Sequence, residues 1–261
     1  MNLRYAGLGS LFFLGLMSTS AFGVDGPSPC KDVEYGTDRF TVCEFPTTKT
    51  DVRLFWGEAE KPYGHFNTVA QTVRSKQKRL VFAMNAGMYL DDRAPVGLYV
   101  DDTGSRGRLQ TKASYGNFGM LPNGVFHVSP SGMAVTESTT FKAEEIAPSY
   151  ATQSGPMLVI EDKLHPKFNR NSTSKRIRNG VGVSADGETV YFAMSDRPVT
   201  FYGFASLFKD QLNTPNALYL DGTISRLYDA ATGRNDLGMA MGPIVGVVAP
   251  VEMNTKEGAE P

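Results

Sequence analysis

What most constrains this 261-residue chain is how short its apolar runs are. Leu80–Met84, Val125–Val128, Met157–Ile160, Val190–Ser195, Ala217–Leu220 and Ile244–Val248 each stop after four to six residues, four of them directly at Asn85, Ser129, Asp196 and Asp221. Runs of this length are buried strands, because a helix needs a longer periodic segment. Arg39–Phe45, Val52–Trp56, Val96–Val100, Met133–Thr136 and Val181–Ser184 extend the strand set. Helical spacing is clear in two places. Phe66, Val69, Ala70 and Val73 mark His65–Lys76. Phe201, Phe204, Ala205, Phe208 and Leu212 mark a second helix, with Thr200 as its N-cap. Ser138–Ala147 is a weaker third. Strands and helices do not alternate, which argues against a doubly wound sheet. The expected fold is α+β: a single domain over residues 24–250, with a large mixed or mostly antiparallel sheet and two or three helices.

The formal net charge of −1 points away from a nucleic-acid surface. No apolar segment beyond residue 23 is long enough to span a membrane. Residues 1–23 read as a signal peptide. Arg4 supplies the positive start, Leu8–Met17 the apolar centre, and Ala21 and Gly23 the small residues of a cleavage site. The mature chain is therefore expected to be periplasmic or secreted. In that compartment the two cysteines, Cys30 and Cys43, are expected to pair. Residues 251–261 form a polar C-terminal tail.

Asp221 closes the run Ala217–Leu220 and is followed by Gly222. A carboxylate leaving a buried strand must be hydrogen-bonded, paired or solvated in a cleft. Spacing alone leaves open whether Asp221 only tightens its own turn. The pattern recurs at Asn85 with Gly87 and at Ser154 with Gly155. Glycines let backbone N–H groups approach a ligand closely. The basic stretch Arg170, Lys175, Arg176 and Arg178 can clamp an anion. Together these features suit a polyhydroxyl or phosphate pocket. His65, His127 and His165 are scattered, with no carboxylate or cysteine at ligand spacing, and are read as structural or exposed.

Five segments, in order, resemble the phosphodiester glycosidase domain family, including its bacterial branch formerly of unknown function. Asn85-Ala86-Gly87-Met88-Tyr89 is similar to that family's N-G-G-F-F-type motif. Asn117-Phe118 with Pro122-Asn123-Gly124-Val125-Phe126, then Gln153-Ser154-Gly155-Pro156, Arg178-Asn179-Gly180-Val181-Gly182-Val183 and Asn216–Gly222 follow. The resemblance covers about residues 75–250. Where the family often has a Gly-Gly-Gly-Ser-Ser-like run after its aspartate, this chain has Gly222-Thr223-Ile224-Ser225-Arg226, which keeps Gly222 and Ser225.

The resemblance implies hydrolysis of a sugar-1-phosphodiester. Glycosidases ordinarily use two carboxylates, one protonating a poor leaving group. A phosphate monoester leaves as a stabilised anion, so one carboxylate and one cation can suffice. The implied roles are Asp221 as base or nucleophile and Arg178 on the leaving phosphate, with Asp196 as a second carboxylate in reserve. Asn85, Gly87, Asn123, Ser154, Gly155, Gly222 and Ser225 are the expected substrate-binding positions. The partner is a phosphodiester-linked carbohydrate or glycolipid, and no cofactor is required. Two alternatives stay open: a noncatalytic envelope module that binds a glycan or glycolipid phosphate, and a phosphodiesterase using a divalent cation held by Asp221 and Asn85.

Overall fold

The structure is a computed structural model that describes residues 27–222 and 224–251. The expected signal peptide, residues 1–23, and nearly all of the tail expected over 251–261 lie outside the described residues. In chain order the strands begin with β1 (Cys30–Tyr35), β2 (Asp38–Pro46), β3 (Asp51–Phe55), β4 (Gly57–Glu58) and β5 (Lys61–Pro62). Helix α1 (Phe66–Ser75) leads into β6 (Lys78–Asn85), β7 (Tyr99–Asp101), β8 (Gly104–Arg106), β9 (Gly124–Ser129) and β10 (Gly132–Glu137). Helix α2 (Ser138–Ala143) precedes β11 (Tyr150–Ser154), β12 (Met157–Ile160), β13 (Lys163–Leu164), β14 (Asn179–Val183) and β15 (Thr189–Ser195). Helix α3 (Phe201–Ser206) runs into a π-helical turn, Leu207–Gln211. The chain then forms β16 (Asn216–Tyr219), β17 (Leu227–Asp229), β18 (Arg234–Asn235) and β19 (Ile244–Pro250).

The fold is mostly β, with three main sheets among the described residues in place of the one large sheet expected from sequence. Their orders are β1-β2-β15-β14-β16-β12-β13, β10-β9-β11-β7-β8 and β18-β17-β6-β19-β3, with β4-β5 a separate pair. Each named ladder is antiparallel. The helices are too short to form a layer of their own, so the α+β expectation is corrected to mostly β. α1 buries Phe66, Val69 and Val73, as its spacing predicts. Thr200 does cap α3, accepting from the Gly203 amide at 3.1 Å. The continuous helix expected as far as Leu212 instead widens, and the Leu212 amide bonds the Leu207 carbonyl five residues back.

The three sheets share one apolar core. Its centre is a group of phenylalanines drawn from all of them. Phe82 of β6 packs 5.3 Å from Phe45 of β2 and 5.1 Å from Phe192 of β15, and Phe126 of β9 meets Phe192 at 5.8 Å. Such offset and edge-on contacts add to the burial itself. Cys30 and Cys43 face each other across β1 and β2 and form a disulfide. Cys30 opens β1, so strand structure begins close to the start of the described residues.

Candidate active site

Antiparallel order gathers distant segments at one end of the seven-stranded sheet. β14 lies between β15 and β16. The start of β14 therefore sits beside the ends of its neighbours, which brings Arg178 and Asn179 next to Asp196 and Asp221. β12 begins at the same end, so the cis Gly155–Pro156 bond, which joins two sheets, also arrives there. β6 ends at Asn85, and its side chain reaches Asn179.

Paired asparagines form the joint. Asn85 Nδ2 donates to Asn179 Oδ1 at 3.3 Å, and Asn179 Nδ2 returns a bond to the Asn85 carbonyl at 3.0 Å. Asn179 Oδ1 also accepts from the Asp221 amide at 3.0 Å, and Asn85 Oδ1 accepts from the Arg226 amide at 3.0 Å. Ser154 Oγ donates to the Leu220 carbonyl at 2.7 Å. Asn85, Asn179 and Ser154 are fully buried, where an unmade hydrogen bond is costly. They hold the backbone on both sides of Asp221. Asn85 and Ser154, expected to touch substrate, thus spend these groups on the scaffold.

Asp221 itself is half-buried. Its Oδ1 accepts from the Gly222 amide at 2.6 Å, and Ser225 Oγ donates to its carbonyl at 3.1 Å. Turn-tightening and partial exposure of the residue thus coexist. Gly222 is fixed by crowding: a Cβ there would lie 2.0 Å from the Tyr219 hydroxyl. Gly87 is similar, with a Cβ falling 2.4 Å from the Gln153 carbonyl oxygen. Gly155 backs onto Asn123, whose Nδ2 donates to the Phe118 carbonyl at 3.3 Å while its buried Oδ1 has no partner among the described residues.

Arg178 is only 2% exposed. Its Nε donates to the Val199 carbonyl at 3.0 Å and its Nη2 to the Ser174 carbonyl at 3.4 Å. The buried Nη1 has no partner among the described residues. The guanidinium lies 3.5 Å over the Phe201 ring and 5.5 Å from that of Tyr219. A stack continues through Phe168 to the buried His165. Burial pushes the Arg178 pKa down, and the Tyr219 phenol opposes that shift. Burial likewise raises the Tyr219 phenol. Asp196 reaches the same end of the sheet but is engaged with β2. It accepts from Thr41 Oγ1 at 3.1 Å and pairs with Arg39 at 3.1 Å.

Sequence reasoning did not single out Asn179, Tyr219, Phe201 or Tyr89. The Tyr89 hydroxyl is buried with no hydrogen-bond partner among the described residues. Burial and then the Asp221 carboxylate raise its pKa, against Arg93 and Arg226. Asn179, Tyr219 and Tyr89 all lie inside motif segments, which was the available signal. Among the described residues no three His, Cys, Asp or Glu side chains gather as a metal-holding group.

The family described as phosphodiester glycosidase matches residues 78–240, which contain every site residue named above. The uncharacterized protein YigE of Escherichia coli (strain K12) is 36% identical over 179 residues, covering 68% of this chain and 69% of that protein. The fold is similar to the catalytic domain of zebrafish N-acetylglucosamine-1-phosphodiester alpha-N-acetylglucosaminidase, a structure auto-inhibited by its pro-peptide. The TM-score is 0.56 at 15% identity, covering 84% of this chain and 81% of that one.

Proposed function

We propose that this chain, which belongs to the phosphodiester glycosidase family, is an exported hydrolase that splits a sugar from a sugar-1-phosphodiester. The observation that carries this reading is the setting of Asp221: its backbone is tied down by the buried Asn179 and by Ser225, the residue is half-buried, and it leaves β16 at the same sheet end as Arg178, whose Nη1 has no partner among the described residues. Asp221 attacks the anomeric carbon or removes a proton from the attacking water. The bond from the anomeric carbon to the phosphate oxygen breaks, and its electron pair leaves with the phosphomonoester. Arg178 Nη1 receives a phosphate oxygen as that charge develops. A donor already desolvated and held by stacking needs little reorganisation at that moment. Asn85, Asn179 and Ser154 act as positioning residues behind Asp221, and Asp196 is the reserve carboxylate.

The test is turnover of a panel of sugar-1-phosphodiesters with both products identified. Asp221→Asn keeps the shape and removes the base or nucleophile, so the rate is expected to fall by ~10²-fold or more with the fold intact. Arg178→Ala is expected to cost ~3 kcal/mol in kcat/KM. That loss should shrink for a leaving group without phosphate. Full activity in Asp221→Asn would end the catalytic assignment, and sugar-phosphate binding without turnover by the unaltered protein would establish the noncatalytic module.

A further inference from the structure

Two features of the rim around this site are not used by the reaction. The first is the tip between β18 and β19. Leu237 and Met239 are 84% and 67% exposed, and Leu90 on the neighbouring loop is 54% exposed. The tip is braced from below. Gly238 has φ 152°, and a Cβ there would fall 2.7 Å from the Arg226 guanidinium carbon. That same guanidinium donates to the Met239 carbonyl. A glycine is required where the backbone rests this closely on a buried side chain. The fold thus holds two large apolar side chains out in water, which is unfavourable unless something covers them.

The second feature is charge. Residues 163–178 contain Lys163, Lys167, Arg170, Lys175, Arg176 and Arg178 and no acid. All but Arg178 are exposed. None of the exposed five forms an ion pair among the described residues. Asp91 and Asp92 follow Leu90, and Asp236 precedes Leu237, so the acids sit with the apolar residues and not in the basic stretch. Lys163 pairs with Ile160 at the far end of β12, and the rest of the stretch opens on the same end of the molecule as the apolar tip. The basic stretch enters β14 and the apolar tip enters β19, whose first residue, Ile244, is in register with Asn85 at the asparagine joint.

We propose that this rim docks on an anionic phospholipid bilayer, with Leu237 and Met239 entering the interface and the basic stretch meeting the headgroups. Apolar insertion and basic attraction are each weak alone and sufficient together. A cleft facing a bilayer in this way takes substrates whose phosphodiester carries a lipid. This second half rests on the proposed hydrolase activity, whereas the docking does not.

The test is co-sedimentation of the protein with phosphatidylcholine vesicles made with and without phosphatidylglycerol. Binding is expected only with the anionic lipid and is expected to weaken as salt rises. The double variant Leu237→Ser, Met239→Ser and the triple variant Lys167→Gln, Arg170→Gln, Lys175→Gln should each lower the partition at least ~10-fold. Turnover of a soluble sugar phosphodiester should be unchanged in the Leu237→Ser, Met239→Ser variant, while turnover of a vesicle-embedded one falls. Asp221→Asn should bind vesicles like the unaltered protein, so failure of docking and failure of catalysis read out separately. Equal partition onto neutral and anionic vesicles, unaltered binding in both variants, or binding to heparin without binding to vesicles would each overturn the proposal.

Discussion

Gly222 lies directly over the Tyr219 hydroxyl, and that single contact couples Asp221 to the strand below it. Its backbone is not in the left-handed region, so a side chain is excluded by space alone. Gly222→Ala is expected to force the turn or the phenol aside, destabilising by about 1–3 kcal/mol. Removing the hydroxyl makes room, because the next obstacles are the Ile177 carbonyl oxygen at 3.1 Å and the Tyr219 ring carbon at 3.2 Å. Gly222→Ala combined with Tyr219→Phe should therefore cost less than the sum of the two single changes. The coupling expected for such contacting residues is ~0.5–3 kcal/mol, read by denaturant unfolding of all four proteins. Strict additivity would show that the turn already has room. Asn179 belongs to the same scale. One oxygen of one asparagine holds both Asn85 and the Asp221 amide, so Asn179→Ala should reduce kcat while leaving KM nearly unchanged, if Asp221 is the reacting group.

Strand β1 is an edge strand whose residues are mostly exposed or half-buried, so it contributes little apolar burial of its own. Its ladder with β2 and the Cys30–Cys43 bond keep it in place. Closing a loop with a separation of 13 residues stabilises by ~3 kcal/mol in the chain-entropy account. Reduction should lower the Tm and release the β1–β2 amides to hydrogen exchange before those of β14–β16; unchanged exchange would mean that the ladder alone suffices. The strand pairing of β2 with β15 was legible in sequence only as two separate apolar runs. Elements with continuous apolar cores, such as β6, β12, β16 and β19, were legible because burial on both faces leaves no other use for them. β11 was not, because Thr152, Gln153 and Ser154 are polar yet fully buried. Gln153 makes this possible by bonding Leu98, Gln110 and Ser138, partners up to 55 residues away. The same bonding starts β7 late: the Leu98 amide is taken by the Gln153 side chain, and regular pairing begins at Tyr99. At the site, strand-end polarity marked Asp221, Asn85 and Ser154. Asn179 and Tyr219 lie inside motif segments, but what each does arises from contacts with segments distant in sequence, such as Asn85 for Asn179 and Arg178 for Tyr219, which no local pattern reports.

At the scale of the whole molecule, net charge is close to zero and only three histidines are present, so the change in proton binding near neutral pH rests on few groups. Two of them are buried. His127 packs against Phe141 at 5.3 Å, shares a hydrogen bond with Thr136 Oγ1 at 3.0 Å, and has no partner at Nδ1 among the described residues. Burial lowers its pKa from 6.5 to about 4. His165 is also shifted down by burial, with the Leu121 carbonyl partly opposing. A histidine held neutral in the folded chain binds its proton first in the unfolded chain. Stability from this source is therefore complete above pH ~6.5 and declines as pH falls from there toward ~4. For His127 alone the loss across that window is about 3 kcal/mol. Thermal unfolding followed from neutral to acid pH should show the decline. His127→Gln, which can still bond Thr136, should flatten it. His65 is exposed, and His65→Gln should leave the slope as it was. A slope unchanged in His127→Gln would mean that the decline comes from groups other than this buried imidazole.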